Sequence, residues 1–291
     1  MIAVAVCGLG LMGGPVAVRL AQAGYGVSVW DRTPARTAPF MESGVTVAPS
    51  PAAATAGAQV AIVLVSDANA VRSVMSGPEG MVAGRPRVIA QMSTIAPHEI
   101  VELARGLPPD VHLLDSPVTG SVPQVVTGQL RVLTGGGDEA CALARPVLET
   151  LGTVVPCGPL GAAAALKCVL NACVSPMMAL LAEGLALADT LGLDPYLTLD
   201  ELERTRVGPL VVRKRAMIEG GEFPADSRLR LFAKDMEIAE ATAAHHGTRL
   251  RLAGQARLLA GEAMAAGLGD LDYSVLAGFL RGQKPPGPSA D

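Results

Sequence analysis

Hydrophobic residues in the first half of the chain form short, nearly continuous runs separated by amphipathic stretches. Helical patterns such as Pro15–Ala23 lie between the runs, so predicted strands and helices alternate. This alternation predicts a parallel sheet with helices on both faces, in which strands are apolar along their whole length. The runs predict strands at Ile2–Cys7, Val27–Trp30, Val60–Val65, Val88–Ala90, His112–Leu114, Gln129–Thr134 and Thr153–Pro156.

After about Gly158 the apolar residues recur at helical spacing only. They predict one long helix over 161–192, which Pro176 should kink because proline lacks an N–H group and clashes one turn back. Further helices are expected at about 196–219, 228–247, 249–267 and 272–281. The prediction is an α/β domain over 1–160 and an all-α domain over 161–291, joined by the 161–192 helix, with a disordered tail at 283–291.

Composition and charge exclude several classes of protein. Hydrophobic residues make up 50% of the chain, which is enough for a large core, and the net charge of −4 with no basic block argues against nucleic-acid binding. The longest apolar run, Ala172–Leu187, contains Pro176 and Glu183, so a buried helix is favoured over a membrane span. No histidine pair has HExxH spacing, so no metal site is predicted.

The cysteines and the N-terminus predict a cytoplasmic protein. The five cysteines are odd in number and form no CxxC pair, which is typical of reduced thiols. The first residues run directly into an apolar strand and show no basic region or small-residue cleavage site.

A glycine-rich loop with the pattern GxGxxG follows the first predicted strand. Gly8 permits a tight turn, Gly10 lets the backbone approach a pyrophosphate, and Gly13 lets the next helix pack closely on the strand. The free N–H groups at that helix N-terminus favour a phosphate. Because Asp31 ends the second strand, the context favours a dinucleotide-binding, Rossmann-type domain over a purely structural turn. The whole loop is Gly8-Leu9-Gly10-Leu11-Met12-Gly13.

The residues after the second strand carry opposing signals about the cofactor. Asp31 is suited to accept hydrogen bonds from a ribose 2′-hydroxyl, which favours NAD. Arg32, Thr33 and Arg36 are suited to bind a 2′-phosphate, which favours NADP, although a solvated turn would also explain Arg36. Since these three residues outnumber Asp31, the sequence favours NADP weakly over NAD.

Four segments together resemble the β-hydroxyacid dehydrogenase family, which includes 3-hydroxyisobutyrate dehydrogenases and glyoxylate or succinic semialdehyde reductases. Besides the glycine loop, Asp115–Ser121 resembles the family's substrate motif, Gly161–Asn171 its catalytic motif and Lys234–Met236 its late K-D-L motif. The resemblance implies NAD(P)-dependent hydride transfer to or from a small β-hydroxyacid or semialdehyde. Together with the apolar helical half, it also implies a homodimer or homotetramer.

The resemblance assigns roles at the reacting centre. Lys167 would be the general acid/base, and Asn171, four residues on, would orient the substrate or the lysine from the same helix face. The alternative is a lysine that extends to the surface. Thr119, Gly120 and Ser121 would bind a substrate carboxylate, although threonine replaces the usual serine and Ser121 replaces a glycine. The alternative is an ordinary loop after a strand.

The resemblance also implies contacts with the cofactor. Thr94, in a Ser93-Thr94-Ile95 turn, would face the nicotinamide, and this chain has Gln91 where the family often has aspartate. Lys234 would approach the cofactor from the helical domain as the cleft closes. A surface lysine paired with a neighbour such as Asp235 or Glu237 is the competing interpretation. Besides Thr94 and Lys234, the expected cofactor-side residues here are Ser66 and Asp67.

Two other functions compete with this interpretation. Imine reductases share the opening motif and a Trp–polar–Arg–Thr stretch, present here as Trp30–Thr33. They usually place aspartate or tyrosine where this chain has Lys167, so the lysine favours hydroxyacid chemistry. The other alternative is a nucleotide-binding protein that has lost catalysis, and Lys167 argues against that as well.

Overall fold

The computed structural model describes residues 2–283, and the chain divides into two compact units, Met1–Lys167 and Cys168–Asp291. The disordered tail predicted at 283–291 lies, apart from Gln283, outside the described residues. The first unit has the predicted α/β architecture and the second is helical, so the predicted fold class is confirmed.

The first unit is built on a sheet with the strand order β3-β2-β1-β4-β5-β6-β8-β7, in which β9 also pairs with β8. The strands from β3 to β6 run parallel, whereas β8 is antiparallel to β6 and β7. The strands are β1 (Ala3–Cys7), β2 (Gly26–Trp30), β3 (Thr46–Val47), β4 (Val60–Val63), β5 (Val88–Gln91), β6 (His112–Asp115), β7 (Val118–Thr119), β8 (Leu130–Gly135) and β9 (Gly152–Gly158).

This strand order is that of a Rossmann domain. The chain passes from β1 outward to β2 and β3 and then crosses to β4 on the other side of β1. Such a reversal leaves a crevice at the carboxyl ends of the strands, and ligands bind there. The sequence pattern does not predict β3 and β7, because two residues are too few to show a periodicity.

Helices cover both faces of the sheet, which explains the continuous apolar strands. Val4 and Val6 of β1 belong to a core on one face, and Ala5 and Cys7 belong to a core on the other. The helices of this unit are α1 (Gly13–Gln22), α2 (Pro34–Thr37), α3 (Pro51–Thr55), α4 (Ala68–Met75), α5 (Pro97–Arg105), α6 (Val122–Thr127) and α7 (Asp138–Leu151).

The second unit packs its helices around a core of its own. The predicted 161–192 helix is interrupted at Ser175, and Pro176 begins the next helix because its missing N–H is tolerated in a first turn. The prediction of one helix over 196–219 is wrong, since Gly208 and Pro209 begin a second helix there. The helices are α8 (Ala162–Val174), α9 (Pro176–Thr190), α10 (Pro195–Glu203), α11 (Gly208–Gly220), α12 (Leu229–His245), α13 (Arg251–Ala265) and α14 (Val275–Leu280).

A buried ion cluster lies inside the helical unit. Lys214 is 1% exposed, and its Nζ lies 2.9 Å from Asp272 and 3.3 Å from Asp226. The same nitrogen lies 4.7 Å from the centre of the Tyr273 ring. Two carboxylates and an aromatic face therefore compensate the desolvated ammonium group.

The α8–α9 stretch is the most apolar part of the helical unit. Within residues 2–283, Ala162–Thr190 is the one helical stretch long and apolar enough to cross a membrane by length and composition, with a mean hydropathy of 1.7. A single stretch of this kind is weak evidence for a membrane span, because core helices pass the same test. Only 22% of its most apolar window is buried within the chain, however, so much of this apolar surface faces outward.

Candidate active site

The glycine loop joins β1 to α1 at the crevice of the sheet. Gly8 has a φ of +100°, and a Cβ atom there would lie 2.3 Å from the Leu64 carbonyl oxygen. A Cβ on Gly13 would lie 1.9 Å from the Gly8 oxygen, so the chain's own packing requires both glycines. A Cβ on Gly10 would have no neighbour within 4 Å. The open space beside Gly10 fits the close approach of a cofactor pyrophosphate.

Asp31 links this loop to the end of β2. Its Oδ2 accepts the Leu9 N–H and its Oδ1 accepts the Thr33 N–H, both at 2.7 Å. The carboxylate is only 6% exposed, and an Arg36 guanidinium nitrogen lies 3.6 Å from it. Arg32 and Arg36 are exposed. Asp31 therefore organises the loop backbone, and the two arginines remain outermost.

The next two strands place polar groups at the same edge of the sheet. After β4, Ser66 donates to Asp67 at 2.6 Å, and Asp67 caps α4 by accepting the Ala70 N–H at 2.9 Å. After β5, Ser93 Oγ accepts the Val65 N–H at 2.9 Å, and the buried Gln91 side chain hydrogen-bonds both backbone groups of Ser93. Gln91 thereby shapes the turn that carries Thr94.

The predicted substrate turn follows β7. Gly120 has a φ of +122°, and a Cβ atom there would lie 2.8 Å from the Leu130 side chain, so a glycine is required. The Ser121 hydroxyl donates to Gln124 Oε1 at 3.0 Å, and the same oxygen accepts the Ser121 N–H at 2.9 Å. Ser121 thus stabilises the start of α6, a contact that the sequence analysis did not anticipate.

Lys167 lies on α8, part-buried, at the end of the first unit. Gly161, with a φ of +89°, turns the chain into this helix. Asp115, at the end of β6, accepts the Ala164 N–H at 2.7 Å. Burial raises the pKa of Asp115 from 3.8 to about 6, although the N–H groups at the start of α8 act in the opposite direction. No role for Asp115 was predicted from the sequence, although an acidic residue that ends an apolar strand is a visible signal.

In the helical unit, Asp235 joins two of the predicted site residues. Its Oδ2 accepts a hydrogen bond from the Asn171 amide at 3.1 Å, and its Oδ1 lies 2.9 Å from Lys234 Nζ. Lys234 and Asp235 side chains are each 21% exposed. Lys234 is therefore paired as the competing interpretation expected, but it is mostly buried. Sequence reasoning assigned no role to Asp235, although it lies in the K-D-M segment.

Two family models cover this chain from residue 3 to residue 280. Residues 3–166 match the NAD binding domain of 6-phosphogluconate dehydrogenase, and residues 161–280 match the model described as NAD-binding of NADP-dependent 3-hydroxyisobutyrate dehydrogenase. The chain is 34% identical to a 3-hydroxyisobutyrate dehydrogenase of Pseudomonas aeruginosa over 82% of this chain and 85% of that one. The chain belongs to the β-hydroxyacid dehydrogenase family. It is an NAD(P)-dependent oxidoreductase, as the resemblance implied.

Solved structures of this family and of a neighbouring one share the fold. A Mycobacterium tuberculosis 3-hydroxyisobutyrate dehydrogenase with L-serine is 28% identical, with a TM-score of 0.83 over 97% of this chain and 99% of that one. A Myxococcus stipitatus imine reductase with NADP+ is 21% identical, with a TM-score of 0.65 over 96% of this chain and 100% of that one. At that identity the imine reductase shows a common fold only, so β-hydroxyacid dehydrogenase chemistry is the better supported function.

Proposed function

We propose that this β-hydroxyacid dehydrogenase interconverts a small β-hydroxyacid and its semialdehyde, with Lys167 as general acid/base. One observation carries the proposal. The start of the Lys167 helix is hydrogen-bonded to Asp115 at the carboxyl edge of the sheet, the same edge from which the Gly8 loop emerges. A proton donor and a dinucleotide loop are therefore supplied at one edge of one compact unit.

The residues that would hold the cofactor follow the strands on both sides of the crevice. The open space at Gly10 admits the pyrophosphate, and the N-terminus of α1 favours its negative charge. When bound, the cofactor supplies or accepts the hydride. Lys234 stays a predicted cofactor-side residue, to be tested by cofactor titration of Lys234→Ala. The other proposed cofactor-side residues are Gly8, Leu9, Leu11, Met12, Gly13, Asp31, Arg32, Thr33, Arg36, Ser66, Asp67 and Thr94.

The chain's own residues would manage the proton and the substrate carboxylate. The Lys167 ammonium group would donate a proton to the carbonyl oxygen during reduction and recover it in the reverse reaction. Asn171, whose amide is oriented by Asp235, would hold the reacting oxygen or the lysine. Thr119, Gly120 and Ser121 would bind the carboxylate. Since the Ser121 hydroxyl already donates to Gln124, the turn N–H groups and Thr119 would supply the main donors.

NADP is the proposed cofactor of the two. Asp31 is nearly buried and its oxygens accept backbone N–H groups, so it is poorly placed to select a ribose hydroxyl. Arg32 and Arg36 are exposed beside it and carry the charge that a 2′-phosphate requires.

The proposed assembly is a homo-oligomer formed through α9 and the start of α10. The side chains of Leu180, Leu187 and Leu191 are each about 60% exposed, at spacings that place them on one helix face, and Tyr196 and Leu197 are equally exposed. The α8–α9 stretch is about 43 Å long and about 10 Å wide, so one face of it has an area of about 430 Å². This is roughly half of the 800 Å² that one partner contributes to a typical interface. The same face also carries the exposed Glu183, about one turn from both Leu180 and Leu187, so the proposed occupant is a second copy of this mostly apolar face. The predicted cytoplasmic location is retained as a proposal, since no disulfide pairs the five cysteines, all of which lie within residues 2–283.

Replacing the predicted acid tests the proposed function. Lys167→Ala should lower kcat for the best semialdehyde by about 10²–10⁴, because the proton donor is lost, with the Kd of NADPH unchanged. Lys167→Arg is the matched control, since it keeps the charge but holds its proton too tightly to donate it. Turnover near that of the wild type in Lys167→Ala would exclude the assignment. Reduction of a cyclic imine without reduction of any semialdehyde would favour imine reductase chemistry.

A further inference from the structure

We infer that Asp115 is a positioning residue that sets the place of Lys167 by fixing the first turn of α8 against the sheet. The inference rests on the proposed role of Lys167. Asp115 ends β6, and the chain then passes through Ser116 and Pro117 into the predicted substrate turn. Asp115 therefore precedes the turn assigned to the substrate in the chain, and its carboxylate is bonded to the helix assigned to the proton donor.

The contact with α8 is short and close to Lys167. Asp115 Oδ2 accepts the Ala164 N–H at 2.7 Å, and Ala164 precedes Lys167 by three residues, which is about one helical turn. A carboxylate at a helix N-terminus is also attracted by the helix dipole. Moving this anchor would move the first turn of α8 and the lysine with it.

The neighbouring strand is shaped to admit the helix at this point. Gly135 of β8 pairs with Asp115, and a Cβ atom on Gly135 would lie 3.1 Å from Ala163 N and 2.8 Å from the Pro159 oxygen. Gly161 enters α8 with a φ of +89°. Two glycines and one carboxylate thus fix where α8 begins, which is more constraint than an ordinary helix start requires.

Burial of the Asp115 carboxylate also destabilises the folded state. It is fully buried, and its Oδ1 has no hydrogen-bond partner among residues 2–283, although the N–H groups of Gly161 and Ala163 lie near enough to lower its pKa. The adjacent Ser116 hydroxyl is likewise buried without a partner in that part of the chain. Incompletely satisfied buried charges destabilise a fold and are concentrated at functional sites. A purely structural role would be served better by a neutral side chain.

A double-mutant cycle on the full-length enzyme tests the inference. Asp115→Asn preserves the shape and one acceptor oxygen but removes the negative charge that attracts the N-terminus of α8. The weaker anchor should lower kcat by about 10–100-fold, as a small displacement of a reacting group does. The Kd of NADPH should not change, and the thermal midpoint at pH 7 should stay the same or rise. In the Lys167→Ala background, Asp115→Asn should change kcat by less than about twofold, because the residue acts through Lys167.

The matched control is Thr134→Val on β8. Thr134 is also buried and polar, with its hydroxyl 3.4 Å from the Val155 oxygen, and this change should leave kcat within about twofold. If Asp115→Asn lowers kcat and the thermal midpoint together, or if its effect multiplies with that of Lys167→Ala, the inference is wrong and Asp115 is only structural. If Lys167→Ala keeps wild-type turnover, both the proposed function and this inference are wrong. If Lys167→Ala loses turnover but the Asp115 results contradict the expectation, only the inference is wrong.

Discussion

At the scale of single residues, Asp31 shows how a buried contact changes the meaning of a motif. An acidic residue after β2 ordinarily indicates NAD, yet here both carboxylate oxygens accept backbone N–H groups from Leu9 and Thr33. The exposed charge at this corner belongs to Arg32 and Arg36. Contacts that sequence reasoning did not include therefore shift the expected preference towards NADP.

Arg32→Ala should weaken NADPH binding by about 1–3 kcal/mol, because a charge-assisted hydrogen bond to the 2′-phosphate is lost. NADH lacks that phosphate and serves as the internal control, so its Kd should change little. Fluorescence titration of both cofactors measures the difference. Equal weakening of the two would show that Arg32 does not contact the 2′-phosphate.

The raised pKa of Asp115 makes the stability of the protein depend on pH. Between about pH 4 and pH 6 the folded carboxyl, with its pKa raised to about 6, keeps a proton that the unfolded chain has released. This contribution to stability is present below pH 4 and is lost as the pH rises through 6.

Asp115→Asn cannot titrate, so its stability relative to the wild type should increase by about 2 kcal/mol between pH 4 and pH 7. Urea denaturation of both proteins at the two pH values measures the change. Thr134→Val should differ from the wild type by the same amount at both pH values. If the stability difference between Asp115→Asn and the wild type is the same at both pH values, the pKa of Asp115 in the folded wild type is close to 3.8.

At the scale of elements, the glycine loop was predicted well because its chemistry is local. A turn, an open approach and a close helix contact each need a glycine at a fixed spacing, and the geometry has all three features at Gly8, Gly10 and Gly13. Pro176 likewise has a local effect and interrupts the helix where expected. The two-residue strands β3 and β7 were not predicted, because they depend on pairing with strands that are distant in the sequence or too short to show a pattern.

Gly10→Ala and Gly13→Ala should separate binding from folding. The methyl group at position 10 enters open space, so the thermal midpoint should stay near that of the wild type while NADPH affinity falls at least tenfold. The methyl group at position 13 would meet the Gly8 oxygen at 1.9 Å, so that variant should lose stability as well. Gly261→Ala, in an open position of α13, is the control for an added methyl group. Normal NADPH binding by Gly10→Ala would contradict the assigned pyrophosphate approach.

At the scale of the whole molecule, the exposed leucines of α9 form the proposed contact between subunits. Leu187→Glu should shift the protein from oligomer to monomer in sedimentation velocity, since a charge would be buried in the proposed interface. Leu252→Glu is the control, because this leucine is 77% exposed and belongs to a different helix, α13. An unchanged oligomer would place the interface elsewhere. A wild-type monomer that binds lipid vesicles would assign the face to a membrane.

The sequence by itself determined the fold class, most strands and the glycine turn after β1, because periodicity and glycine spacing are properties of neighbouring residues. Only the tertiary structure decided which polar groups meet. Asp115 reaches Ala164 across 49 positions, Asp235 reaches Asn171 across 64, and Lys214 reaches Asp272 across 58. The sequence marks Asp115 by its place at the end of an apolar strand, but it does not show which group any of these side chains contacts. Their roles depend on desolvation and distance, which exist only once the chain has folded.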